Sequence, residues 1–154
     1  MIYDCIIIGT GPAGISAAIT LKIHNKSFLL FGGKNLSDKI TKAEKITNYP
    51  GLPSITGKAL SNAFMMHLNE MDIEITDKMV SSVISFGGNY AVTAGTDFFE
   101  TKSLILATGV TSAASVKNEE KLLGKGVSYC ATCDGGLYNN KKIAVISTNP
   151  RFLH

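Results

Sequence analysis

The stretch Ile6-Ile7-Ile8-Gly9-Thr10-Gly11-Pro12-Ala13-Gly14 constrains this chain more than any other. An apolar run that ends in glycine has the pattern of a strand buried on both faces, and Ile15, Ala18, Ile19 and Ile23 then recur at the spacing of one helix face. A fully buried parallel strand is therefore expected over Ile2 to Ile8, then a helix, then a second strand over Ser27 to Phe31, a βαβ unit of roughly 30 residues. In that context each glycine of G-x-G-x-x-G has a physical task. Gly9 permits a tight turn, Gly11 lets the backbone approach a pyrophosphate, and Gly14 lets the helix close onto the strand. Pro12 suits the first helical turn, where a missing N–H costs nothing, and an anion would rest on the remaining donors there. About twenty residues further on, where an acid would bind the adenosine ribose, Phe31-Gly32-Gly33-Lys34 stands instead, so these residues alone leave NAD and FAD both open.

Beyond this unit a Lys-rich polar stretch ends in NYPGLPS, which breaks regular structure. A helix is expected from Thr56 or Gly57, with Leu60, Ala63, Phe64, His67, Leu68 and Met71 on one face. His67 has no second ligand at metal spacing, so it is read as core packing, as are Met65 and Met66. Between Ile73 and Leu106, three extended segments separated by FGGNY and GTD predict an antiparallel meander, and SLILATG returns to a buried strand. The polar run from Thr111 to Gly126 marks a domain boundary. After it come a turn at Asn139 and Asn140 and one strand, KKIAVI, too little to bury a core, so the chain is expected to be part of a larger protein.

Charge and cysteine usage narrow the function. The net charge of +3 contains no basic block that could track a nucleic-acid backbone, and no apolar run approaches the ~20 residues of a membrane span. A strand beginning at Ile2 leaves no room for a signal peptide, which points to the cytoplasm and to reduced thiols. Lys34, Lys39, Lys42 and Lys45 form either a solvated loop or a surface that steers an acidic partner. Cys5 sits in the apolar strand and reads as core, whereas Cys130 and Cys133 form a C-x-x-C. Zinc needs three or four ligands and none accompanies this pair, which favours redox chemistry over metal binding. A helix starting at Cys130 would favour its thiolate, and Asp134, four residues on, would lie on the same face, either to protonate a departing thiolate or as a simple helix-start acid.

Gly9 to Gly14 as GTGPAG, NYPG at 48–51, ILATG at 105–109 and CATCDG at 130–135 together make the chain resemble the low-molecular-weight thioredoxin reductases from end to end. The resemblance implies an α/β fold: a Rossmann-like FAD-binding domain of ββα type with an antiparallel meander over 1–112, then over 113–154 the start of a second, nucleotide-binding-like domain carrying the cysteines. It implies that Gly9, Gly11, Pro12, Ala13, Gly14, Asn48, Val80, Ala107, Thr108 and Gly109 bind FAD. By the same resemblance Cys133 lies against the isoalloxazine ring, Cys130 attacks the thioredoxin disulfide, Asp134 is the acid/base and the assembly is a homodimer. Two departures stand out. That family's chain is roughly twice as long, and its C-terminal FAD segment has no counterpart here. Its NADPH-dependent members also carry a second glycine fingerprint after the strand equivalent to KKIAVI, where this chain has Ser147-Thr148-Asn149-Pro150-Arg151-Phe152. Side chains there block close pyrophosphate approach and Pro150 removes a donor. The ferredoxin-dependent flavin branch of the family is accordingly the nearest match, with an NADPH-dependent reductase or a non-catalytic flavin-binding redox sensor as alternatives.

Overall fold

The computed structural model describes residues 1–109, 117–122, 124–128 and 135–146. Its centre is a parallel sheet in which β2 (Cys5–Ile8) pairs with β3 (Phe28–Phe31) on one side and β8 (Leu104–Leu106) on the other, and β3 pairs with β4 (Ile75–Thr76). Numbered within this sheet alone, the strand order is 3-2-1-4, the first half of a doubly wound dinucleotide fold. Alternation along the strands sends side chains to two faces. Cys5, Ile7 and Leu30 face α1 (Pro12–Ile23) and α3 (Gly57–Glu70), where Ile15, Ala18 and Leu68 complete one core cluster. Ile6 and Phe31 face the other way and pack against Val92 and Ala94 of an antiparallel meander, β5 (Val80–Phe86), β6 (Asn89–Ala94) and β7 (Asp97–Thr101). Phe31 meets Phe99 edge to face at 5.2 Å. Helices, parallel sheet and meander thus form three layers, the ββα arrangement expected, and each large side chain sealed between them contributes about 1.5–3 kcal/mol.

Both long helices end by the same device. Asn25 (φ 51°) and Asp72 (φ 48°) adopt left-handed backbone, and the amides that follow, Lys26 and Ile73, reach back to Leu21 and Leu68. These are Schellman closures without glycine. At the other end of α3, Thr56 caps the helix by accepting from the Ala59 amide at 3.2 Å.

Several expectations need correction. Ile2 to Ile8 is not one buried strand: β1 (Ile2–Tyr3) leaves the parallel sheet and pairs with β7, and Ile2 is exposed. The segment 98–106 divides in the same way, into β7 and β8, so two neighbouring chains cross between sheets side by side. Asp4 holds the crossing. Its carboxylate accepts from Lys102 Nζ at 2.8 Å and from the amide and hydroxyl of Ser27, while Ser103 donates to the Asp4 carbonyl at 2.6 Å. The Lys102 bond, then the Ser27 bonds, hold the Asp4 pKa far below the ordinary carboxylate value. The segment from Ile73 divides too, since β4 belongs to the parallel sheet and only β5 to the meander. His67 and Met66 are exposed rather than packed, as is Ile23, because the covered stripe of each helix is narrower than its apolar pattern. Leu106 is exposed because β8 has only one strand neighbour among the described residues. KKIAVI forms no strand, having nothing described to pair with, and its apolar residues are exposed.

Candidate functional site

The glycine loop leaves the C-terminal end of β2 directly beside the end of β8, the place where strand order reverses and where ligands of open α/β sheets bind. Gly9 has φ 120°, and a Cβ there would lie 2.1 Å from the Ala107 carbonyl oxygen, so only glycine lets the two strand ends touch. A Cβ on Gly14 would lie 1.9 Å from the Gly9 carbonyl, so the helix rests on the loop backbone itself. Gly11 is different: nothing lies within 4 Å of its missing Cβ. The open space is on the side of the helix start, where Gly11 provides no side-chain cap and Pro12 opens the first turn. Such a cradle fits the pyrophosphate of a dinucleotide, because the first-turn N–H groups and the helix dipole are left for an anion. The structure therefore brings Gly9, Gly11, Pro12, Ala13 and Gly14 together with Ala107, and places Thr108 and the left-handed Gly109 (φ 67°) next in line after β8.

Thr10 is a residue that the sequence motif did not single out. It is buried, its hydroxyl donates to the Gly33 carbonyl at 3.0 Å, and a Cβ on Gly32 would lie 2.6 Å from its methyl carbon. The turn that replaces the missing ribose acid is thus strapped to the phosphate loop. Only the small residue between two motif glycines, and the Gly-Gly pair after β3, could have signalled it.

The remaining expected ligands are less tightly drawn in. Asn48 is exposed, just before a tight turn in which Gly51 (φ 80°) follows Pro50 and the Leu52 amide donates to the Tyr49 carbonyl at 3.0 Å. Tyr49 anchors that turn edge to face on Phe64 of α3. Val80 starts β5 and packs into the cluster around Phe31, at the end of β3. Two hollows, of about 390 and 350 Å3, lie at the β4 edge of the sheet, lined among others by Ile73 and Glu74, and neither touches the glycine loop. Cys5 is a buried free thiol in the core, as expected. Cys130, Cys133 and Asp134 lie outside the described residues, as do 147–154 and the expected boundary at 112–113. Among the described residues no cluster could hold a metal ion, and no helix is long and apolar enough to cross a membrane.

The chain matches, over residues 3–146, the family model described as pyridine nucleotide-disulphide oxidoreductase. Thioredoxin reductase of Bacillus subtilis (strain 168) is 36% identical over 146 residues, covering 94% of this chain and 46% of that protein. Among solved structures, a ferredoxin-flavin thioredoxin reductase from Clostridium acetobutylicum superposes with TM-score 0.72 at 48% identity, covering 90% of this chain and 48% of that one. Thioredoxin reductase from Streptococcus pyogenes MGAS5005 superposes with TM-score 0.80 at 33% identity, covering 89% and 45%. The chain spans about half the length of the curated relatives it matches.

Proposed function

The chain belongs to the pyridine nucleotide-disulphide oxidoreductase family, and from that premise we propose that it is the FAD-binding N-terminal portion of a thioredoxin reductase fed by ferredoxin. The observation that carries this reading is a contrast between two strand-to-loop junctions. After β2 a complete glycine cradle stands open at Gly11, whereas after KKIAVI the positions of a second cradle hold Ser147, Thr148, Asn149 and Pro150. One dinucleotide site is kept and the NADPH site is lost. Each charge-assisted bond missing there is worth about 1.5–3 kcal/mol, so a few of them remove several powers of ten in affinity.

Gly9 to Gly14 with Ala107, Thr108 and Gly109 hold the pyrophosphate end of FAD, and Asn48 and Val80 complete its site. When bound, FAD supplies a centre that accepts electrons singly and delivers them in pairs. The boundary at 112–113 separates this domain from the one that carries the cysteines. There the Cys130 thiolate attacks one sulfur of the thioredoxin disulfide, and the other sulfur leaves, taking a proton from Asp134. Cys133 then attacks Cys130 Sγ, releasing the second thioredoxin thiol and closing the Cys130–Cys133 disulfide. Two reduced ferredoxins, each losing one electron, and two protons restore the dithiol. From a ferredoxin near ~−400 mV to a thioredoxin near ~−270 mV the change is downhill by about 6 kcal/mol for the pair. The homodimer is retained as the assembly implied by the resemblance.

The 48% identity to the clostridial ferredoxin-flavin thioredoxin reductase supports the choice of donor. A second reading, NADPH-fed, is favoured by the pyridine nucleotide in the family's description. Stopped-flow reduction of the complete protein separates them. Reduced ferredoxin should bleach the flavin and support thioredoxin turnover while NADPH does neither; saturable NADPH-driven bleaching with a micromolar half-point overturns the ferredoxin reading.

A further inference from the structure

The net positive charge of this chain is gathered on one surface. The hub is the C-terminal end of α2 (Asp38–Thr41). On one side of it Gly57 packs without a gap: its amide donates to the Ala43 carbonyl at 2.8 Å, and a Cβ there would lie 1.6 Å from the Ile40 carbonyl. On the other side, a Cβ on Gly124 would lie 3.0 Å from the Lys42 carbonyl. Stretches remote in sequence therefore meet here, and they bring Lys34, Lys42, Lys45, Lys58, Lys121 and Lys125, all exposed. Residues 34–58 and 117–128 contain eight lysines and four carboxylates, whereas the rest of the chain contains seven cations and eight carboxylates, so this surface accounts for the whole excess of +3. Two of its four acids are already engaged, Asp38 with Lys42 at 3.8 Å and Glu119 by burial. The patch is also continuous with the cofactor cradle, because Lys34 follows the Gly33 carbonyl that Thr10 of the phosphate loop holds.

We propose that this lysine surface, built by the docking of Gly57 and Gly124 onto the end of α2, is where an acidic one-electron iron–sulfur carrier protein binds. The proposal rests on the ferredoxin-fed reading and adds the place of encounter. Clustered cations beside a cofactor raise the encounter rate of an anionic carrier and orient it, an effect that salt screens.

The test is a triple variant of the complete protein, Lys42→Glu with Lys45→Glu and Lys121→Glu, assayed for thioredoxin reduction with dithionite-reduced ferredoxin and, separately, with reduced methyl viologen. The KM for ferredoxin should rise about tenfold or more, and the difference should shrink in about 1 M salt, where the screening length falls to ~3 Å. The kcat, the viologen-driven rate and the KM for thioredoxin should stay unchanged. The milder pair Lys45→Gln with Lys121→Gln, which removes charge without reversing it, should raise the ferredoxin KM by a smaller factor and guards against misfolding of the triple variant. An unchanged ferredoxin KM in a wild-type enzyme that does accept ferredoxin electrons overturns the docking surface and leaves the donor intact. A rise in the thioredoxin KM alone also overturns it, since the surface would then serve the other partner. If the wild type is reduced by NADPH and not by ferredoxin, the donor reading fails and takes the docking surface with it.

Discussion

Two apolar runs of similar make-up meet opposite fates in this molecule. Ile6 and Ile7 of β2 are fully buried between two sheet layers and two helices, whereas Ile143, Val145 and Ile146 of KKIAVI are 68, 61 and 74% exposed and pair with nothing described. The difference lies in neighbours rather than in composition. The strand β2 has β3 on one side, β8 on the other and a covering layer on each face. An apolar run thus states a preference for burial; the partners that satisfy it come from elsewhere in the chain.

The sharpest way to break this comparison is to delete the same kind of side chain from both runs. In the 154-residue chain, Ile7→Ala should cost about 2–5 kcal/mol by urea unfolding, through lost burial and the cavity left behind. Val145→Ala should stay within about 0.5 kcal/mol, as exposed positions do. Equal costs would mean that KKIAVI is covered after all.

Within the cradle, glycines can be set against each other. Gly14→Ala pushes a methyl into the Gly9 carbonyl and should destabilise the fold by about 1–3 kcal/mol. Gly11→Ala meets only open space; its thermal stability should change by about 0.5 kcal/mol or less, while FAD affinity of the complete protein falls by about tenfold or more. A loss of stability at Gly11, or of neither property, contradicts an open phosphate cradle.

The smallest effect concerns how the buried run is pinned. Asp4, whose pKa is depressed by Lys102 and Ser27, gives β2 a charged anchor that no described residue gives KKIAVI. A depressed carboxylate stabilises the fold fully above its unfolded value, 3.8, and progressively less as pH falls below it toward the folded pKa. Asp4→Asn should therefore be less stable than wild type at neutral pH, with the gap closing in acid. A gap that stays constant from neutral pH down through the acid range would remove the charge from the explanation.

The cradle was legible because each glycine answers to a contact that the local pattern already contains. The helix boundaries were legible for the same reason, through Pro12 at one start and Thr56 at the other. Thr10 was not legible, since its partners Gly32 and Gly33 lie more than twenty positions away. The division of 2–8 and 98–106 between two sheets was hidden too, because strand periodicity reads the same on either side of Asp4. Asn48 and Val80 came only from resemblance, and the chemistry of Cys130, Cys133 and Asp134 rests on spacing alone.

By itself the sequence determined the glycine loop, the left-handed helix stops that Asn25 and Asp72 tolerate, the turns of the meander and the redox pair. These are properties of a few adjacent residues, set by dihedral sterics and by local hydrogen bonding. Only the tertiary structure decided which apolar run is buried, where two neighbouring chains change sheets and which lysines share a surface. Those outcomes depend on segments far apart in sequence, whose packing is settled when the layers close over Ile6, Ile7 and Phe31.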